Sequence, residues 1–369
     1  MNKKNINYSL IAVCSKDLDL INIFEYCHSF NVNFSDCLVL IIGHADSNQP
    51  FIARLKEAQL SFIHLPENDL YARLSKKYLT LSSGFSLKKI MIVIICYFFQ
   101  YLYRHFKLNI WNKTLQNYSS KTLLIDLWRT KVPVINYINF EQIVVIDGGS
   151  SSQFLKLLTN WRSYANKSDV LMRYLHDQKF HLRDRKNIRN SFLKKIYTIH
   201  CKILYGLPIN IINKLEENWP SSSYFFSAYA DENSKENKLF INSYSHHKKI
   251  FESFPVEDFV LVLGHPNFKT LNNSLSIINM NSNSEILYLF HPRDRLNFLF
   301  DKKLKEKSES VIRNLGWKVL DIQSSLEAYL YERRSLPKKI IAYENSAMPF
   351  IETVLDGAVT IQYVEISDI

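Results

Sequence analysis

The run Val144-Val145-Ile146-Asp147-Gly148-Gly149-Ser150-Ser151-Ser152 decides the fold class. Three β-branched aliphatic residues in a row suit a strand buried on both faces, as strands of a parallel sheet are. A carboxylate closes the strand and two glycines allow a tight turn. The serines then supply an N-cap for a helix starting near Gln153. Ligands of open α/β sheets bind outside the carboxyl ends of strands. Asp147 would thus project into a crevice, where a carboxylate can act as a general base. It equally fits a turn aspartate that hydrogen-bonds its own backbone.

Outward from this point, short apolar runs alternate with amphipathic segments. Upstream, Leu10–Val13, Cys37–Ile42, Leu60–Leu65 and Thr122–Leu127 read as strands beside Ile143–Ile146, with helices at Leu18–Phe30 and Phe51–Ala58. A second set follows at Phe259–Leu263, Ile286–Phe290, Lys318–Ile322, Ile340–Tyr343 and Val359–Val364, with a clear helix at Leu304–Leu315. Two β/α sets in 369 residues predict an α/β protein with two Rossmann-like, doubly wound domains facing a cleft. The expected division is residues 1–220, a linker at 221–255, and residues 256–369. The linker is placed by the polar stretch from Trp219 to Lys248, with Pro220-Ser221-Ser222-Ser223 and Asp231-Glu232-Asn233.

Composition narrows the chemistry. Glycine is 8 of 369, against roughly 26 at average usage. Neither G-x-G-x-x-G nor G-x-x-x-x-G-K-[ST] occurs, which excludes glycine-loop nucleotide sites. The formal net charge of +11 favours anionic partners. Cys14, Cys27, Cys37, Cys96 and Cys201 make an odd count without C-x-x-C, and Cys14, Cys37 and Cys96 sit in or beside apolar runs. Free buried thiols in a reducing compartment are expected. The apolar start after Met1-Asn2-Lys3-Lys4 is too short for a cleavable signal, so a cytoplasmic location is expected. Ile90–Tyr103 is too short for a ~20-residue membrane span. It reads as a core helix or, flanked by Lys88, Lys89, Arg104, His105 and Lys107, as a helix lying in a membrane surface.

Three further constellations repeat the strand-then-polar pattern. In Glu285-Ile286-Leu287-Tyr288-Leu289-Phe290-His291-Pro292-Arg293-Asp294, a strand ends in His291, and Pro292 suits the first turn of a helix. The free N–H groups there, with His291 and Arg293, fit a phosphate. His291 capping a core edge is the other reading. In Ile340-Ile341-Ala342-Tyr343-Glu344-Asn345-Ser346-Ala347, a strand feeds a turn whose hydroxyl and N–H groups offer a second phosphate contact, or a plain helix cap. Gly264-His265-Pro266-Asn267 follows Phe259–Leu263 as a loop lining the cleft.

The order Asp-Gly-Gly, then His-Pro, then a serine-bearing turn resembles the bacterial sialyltransferases of GT-B fold. Among these are the Neisseria-type lipooligosaccharide sialyltransferases and their polysialyltransferase relatives. The resemblance spans roughly residues 140–355 through sparse motifs. It implies a GT-B-like enzyme with an acceptor-side domain first and a CMP-sugar-binding domain second, Phe259–Leu263 being the first strand of the latter. By position, Asp147 looks like the base that deprotonates the acceptor hydroxyl, with Gly148 and Gly149 on the acceptor side. His291 and Pro292 look like the motif that contacts, and through His291 can protonate, the CMP phosphate. Ser346 looks like a phosphate-binding serine with Asn345 beside it, and Gly264 belongs to the donor-side turn. Glu327 matches a ligand of the ribose hydroxyls, with a solvated helix residue as its other reading.

Two departures stand out. The family's acidic pair is Ile146-Asp147 here, and its serine pair is Asn345-Ser346. They leave room for another nonulosonate, or Kdo, on CMP. The resemblance thus implies an inverting, metal-independent transferase without a cofactor, moving a sugar from a CMP donor to a glycan or glycolipid of a capsule or lipooligosaccharide.

Asp17-Leu18-Asp19 matches the metal-binding D-x-D of other glycosyltransferases, but its place at a helix start reads as capping. From Lys179 to Lys195, seven Lys and Arg face the lone acid Asp184. That segment suits an anionic membrane surface, at the inner membrane, or an anionic acceptor glycan. The rival from another class is a basic nucleic-acid-binding protein. The segment has few aromatics and no recognisable nucleic-acid motif, so no nucleic acid is expected.

Overall fold

A computed structural model of the protein describes residues 6–15, 17–43, 49–66, 87–126, 134, 137–146, 223–227, 239–264, 284–291, 294, 298, 302–322, 325–343 and 348–364. The chain divides into two compact units, Met1–Asn242 and Ser243–Ile369.

The first unit holds, in chain order, β1 (Ile6–Cys14), α1 (Asp17–Ser29), β2 (Cys37–Gly43), α2 (Gln49–Glu57), β3 (Ser61–Pro66), α3 (Leu87–Leu115), β4 (Tyr118–Ile125), β5 (Asn139–Ile146), β6 (Ser223–Ser227) and β7 (Leu239–Ile241). Its strands form one sheet in the order β3-β2-β1-β4-β5-β6-β7. Every pairing is parallel. Alternation of side chains assigns the two faces. Leu10, Ala12 and Cys14 of β1 pack with Leu20, Ile23 and Cys27 of α1 and Leu55 of α2. Ile11 and Val13 point the other way, onto Trp111 and Leu115 of α3. Helices on both faces explain why β1 and β2 are nearly unbroken apolar runs.

The second unit holds α4 (Ser245–Glu252), β8 (Val256–Leu263), β9 (Glu285–Leu289), α5 (Lys302–Asn314), β10 (Lys318–Leu320), α6 (Leu326–Arg333), β11 (Leu336–Ala342), α7 (Met348–Val354) and β12 (Thr360–Tyr363). Its sheet runs β10-β9-β8-β11-β12, again all parallel. Both units therefore begin in mid-sheet, build outward to one side, then return and build to the other. This is the doubly wound, Rossmann-type order, with a switch point between β1 and β4 and another between β8 and β11. The expected α/β class with two such units holds.

Residues 221–255 are not a simple linker. They contain β6 and β7, which complete the first sheet, then α4 and the adjoining residues of the second unit. Phe226 on β6 stands edge-on to Tyr26 of α1, with ring centroids 5.6 Å apart. Phe240 on β7 meets Phe30, just past α1, at 4.9 Å. At the end of β7, Asn242 Nδ2 donates to Asn22 Oδ1 of α1 at 2.9 Å, both residues buried. The stretch was hard to read because two very short strands sit among serine-rich and acidic turn residues.

The segment 90–103 proves to be part of α3, a helix of 29 residues. Among its described side chains, Trp111 and Leu115 of the last turns pack into the core. Among its described side chains, Met91, Ile95, Phe98, Phe99 and Leu102 are exposed. Among the described residues, no helix is long and apolar enough to cross a membrane.

Candidate functional site

In the second unit, β9, β8 and β11 lie side by side and end together. Leu263 of β8 is level with Leu289 of β9, and Val262 with Ile341 of β11. The residues just beyond are Gly264, then Phe290 and His291, then Tyr343. These are the carboxyl ends that flank the switch point, where open α/β sheets receive ligands.

Gly264 and His291 are locked to each other. Gly264 N–H donates to Leu289 O at 2.8 Å. A Cβ built on Gly264 would stand 3.0 Å from His291 N, 3.0 Å from Leu289 O and 2.8 Å from the Tyr288 hydroxyl. Only a glycine lets the strand end approach the His291 turn so closely. Asp294 N–H donates to His291 O at 2.9 Å, which closes that turn.

A buried polar layer lies beside this turn. Tyr288 is fully buried, with Phe290 edge-on at 5.0 Å and Trp317 stacked at 6.4 Å. Its hydroxyl has no hydrogen-bond partner among the described residues. Burial pushes the Tyr288 phenol far above its ordinary range, and neighbouring Tyr343 and Asp294 add to the shift. Burial raises Tyr343 as well. Tyr288 is thus neutral throughout the range in which the protein works.

Glu327 lies in the first turn of α6, whose N-cap Ser325 accepts from Ala328 N–H at 3.3 Å. The strand before it is β10, so this end of the helix belongs to the carboxyl edge of the sheet. Glu327 is 5% exposed. Its reading as a solvated helix residue therefore falls. A carboxylate in the first turn is favoured by the helix dipole.

Of the other residues singled out, Asp147, Gly148, Gly149, Pro292, Asn345 and Ser346 lie outside the described residues, as does the basic segment 179–195. What is described around Asp147 is its supporting strand, β5, buried through its last four residues up to Ile146.

One carboxylate at that edge escaped the sequence reading. Asp126 is fully buried and follows β4, one residue past the Ile125–Val145 pair that joins β4 to β5. It sits at the carboxyl end of a strand bordering the first unit's switch point. The signal was present, since Ile125-Asp126 has the same form as Ile146-Asp147. It is hidden because Thr122–Leu127 reads as a single strand running through the acid.

The D-x-D pair is occupied internally. Asp17 forms an ion pair with Arg54 of α2. Asp19 Oδ2 accepts from Ser15 N–H at 2.8 Å and lies 3.4 Å from its hydroxyl. Asp19 therefore braces the β1–α1 turn from within the helix, as capping predicts. Among the described residues, no three His, Cys, Asp or Glu side chains come together in a way that could hold a metal ion.

No family model matches this chain, and no curated protein matches it. Among solved structures it is similar to a sialyltransferase from Photobacterium damsela at 9% identity and a TM-score of 0.40, over 99% of this chain and 76% of that one. It is also similar to a UDP-N-acetylglucosamine 2-epimerase from Rickettsia bellii at 12% identity and a TM-score of 0.38, over 96% of this chain and 78% of that one.

Proposed function

We propose that the protein is an inverting, metal-independent glycosyltransferase that moves sialic acid, or a related nonulosonate, from a CMP donor to a hydroxyl of a surface glycan. The observation that supports this most is the carboxyl edge of the second sheet. There Gly264 and His291 are held in contact, and the strand that precedes Asn345-Ser346 ends beside them. An edge built this way at a switch point suits a nucleotide phosphate.

In this reading, His291 donates to the phosphate of CMP, and Asn345 and Ser346 bind the same group. Glu327, buried at the start of α6, accepts from the ribose hydroxyls. Asp147 takes the proton of the acceptor hydroxyl as its oxygen attacks the anomeric carbon. The bond from that carbon to the phosphate oxygen breaks, and CMP leaves with the electron pair. His291 and helix N–H groups stabilise the charge that develops on the phosphate. The protein would act at the cytoplasmic face of the membrane, where lipid-linked acceptors are made.

The test is a screen of CMP-sialic acid and related CMP-sugars against glycan acceptors, read by mass spectrometry in excess EDTA. Transfer is expected without added metal. Asp147→Asn keeps the shape of the side chain but cannot take a proton, so it should cut transfer about 10²–10⁴-fold and leave CMP binding intact. Transfer within about threefold of wild type would remove Asp147 from the reaction, since that is under roughly 1 kcal/mol of barrier.

A further inference from the structure

Helix α3 carries a surface that the sheet does not use. Met91, Ile95, Phe98, Leu102, Phe106 and Ile110 are between 39% and 65% exposed. Their spacing of three and four residues puts them within about 120° of the helix circumference. Trp111 and Leu115, which pack on the sheet, point the opposite way. The exposed row extends along roughly 28 Å of helix. A contiguous apolar strip of this length on a water-soluble surface marks a place of contact.

The charges of the same helix say what the contact is. Leu87–Leu115 contains Lys88, Lys89, Arg104, Lys107 and Lys113 and not one Asp or Glu. Lys113 is exposed at the far end of the strip. Lys107 lies alongside, its ammonium 4.7 Å from the Trp111 ring centroid. A second copy of this helix would bring cations against cations with no acid to offset them. Anionic phosphate headgroups over an acyl layer match both features, apolar row and cationic border. The helix cannot cross the bilayer, so it would lie in its surface, apolar row down.

We propose that α3 is a monotopic membrane contact that seats the protein on an anionic bilayer through Phe98, Phe106 and their neighbours. This contact is independent of the catalytic reading and of the basic segment 179–195.

Vesicle flotation of the full chain tests it. The wild-type protein should float with vesicles of phosphatidylglycerol and phosphatidylcholine at low salt, and much less with phosphatidylcholine alone. Phe98→Ser with Phe106→Ser should reduce the bound fraction about tenfold, with circular dichroism and melting unchanged because both rings are exposed. If that pair disturbs folding, Ile95→Gln with Leu102→Gln serves the same purpose. Lys107→Gln with Lys113→Gln should weaken binding at low salt and flatten its salt dependence. The proposal is overturned if the wild-type protein ignores anionic vesicles at low ionic strength. It is overturned equally if folded strip variants float as wild type does, which would locate binding elsewhere. A strip that instead holds two copies together, seen as a dimer by light scattering that the serine pair dissociates without any vesicle binding, would also overturn it.

Discussion

Gly264 shows how much one missing side chain can decide. A methyl group there meets the Tyr288 hydroxyl at 2.8 Å and two backbone atoms at 3.0 Å. The phenol cannot swing aside, because Phe290 and Trp317 hold its ring. Gly264→Ala should therefore cost about 1–3 kcal/mol, read as a lower urea midpoint at unchanged slope. Tyr288→Phe removes a buried hydroxyl that has no hydrogen-bond partner among the described residues, so it should be neutral or stabilising. Combined, the two changes should cost less than Gly264→Ala alone, because the tightest of the three contacts is gone. A double variant as unstable as the sum of the singles would show that the backbone contacts alone set the need for glycine. The sequence revealed that a glycine follows this strand. It could not reveal why, because the reason is a tyrosine on the neighbouring strand.

At the scale of elements, the parallel strands were legible where they are most deeply buried. Their buried halves read as apolar runs, while their amino-terminal halves carry residues such as Asn139, Glu141 and Gln142 and were missed. The pattern reflects exposure: the same polar residues that soften the hydrophobic signal sit where the sheet edge meets solvent. Helix α1 is legible in the sequence almost to the residue, but its inward polar side is not. Asn22 and Glu25 are buried in it, and Asn22 finds Asn242 from the far end of the unit. No local pattern encodes a partner so distant in the chain. Asn242→Ala should leave the Asn22 amide short of a donor in a buried place and cost about 1–3 kcal/mol. The check is a urea denaturation curve, and a midpoint equal to wild type would show that the bond contributes nothing net.

The whole molecule is two units with separate cores. The second contains its own cluster, in which Val260, Val262, Tyr288, Ile312, Trp317 and Ile341 pack together. It spans Ser243–Ile369, within the usual domain range of ~50–250 residues. Expressed alone, this fragment should fold and melt cooperatively, with near-UV dichroism from its buried aromatics. A fragment with the far-UV signal of an unfolded chain would show that it needs the first unit. That two such units exist was legible from the two sets of apolar runs. Where they part was not, because turn-like composition pointed to 220 while pairing in the sheet carries the first unit to Asn242. The Asp-Gly-Gly and His-Pro motifs could be placed on strand ends from sequence alone. That Asp126 and Glu327 are buried is not legible there, since burial of a carboxylate depends on neighbours from other elements.

The late arrival of β6 and β7 matters during synthesis. When Ile146 leaves the ribosome, five strands of the first sheet are already made, but β6, the outer neighbour of β5 among the described strands, follows only at Ser223–Ser227. At about 5–20 residues per second, the wait is roughly 4 to 15 s, far longer than the first strands need to pair. Throughout it, β5 lacks its β6 partner, and Tyr26 and Phe30 lack the rings of Phe226 and Phe240. Such an edge is a template for pairing with another nascent chain. On a polysome, where identical chains emerge side by side, this interval offers that edge to neighbouring chains. Slow decoding between residues 147 and 222 would lengthen it and lower the yield of folded protein.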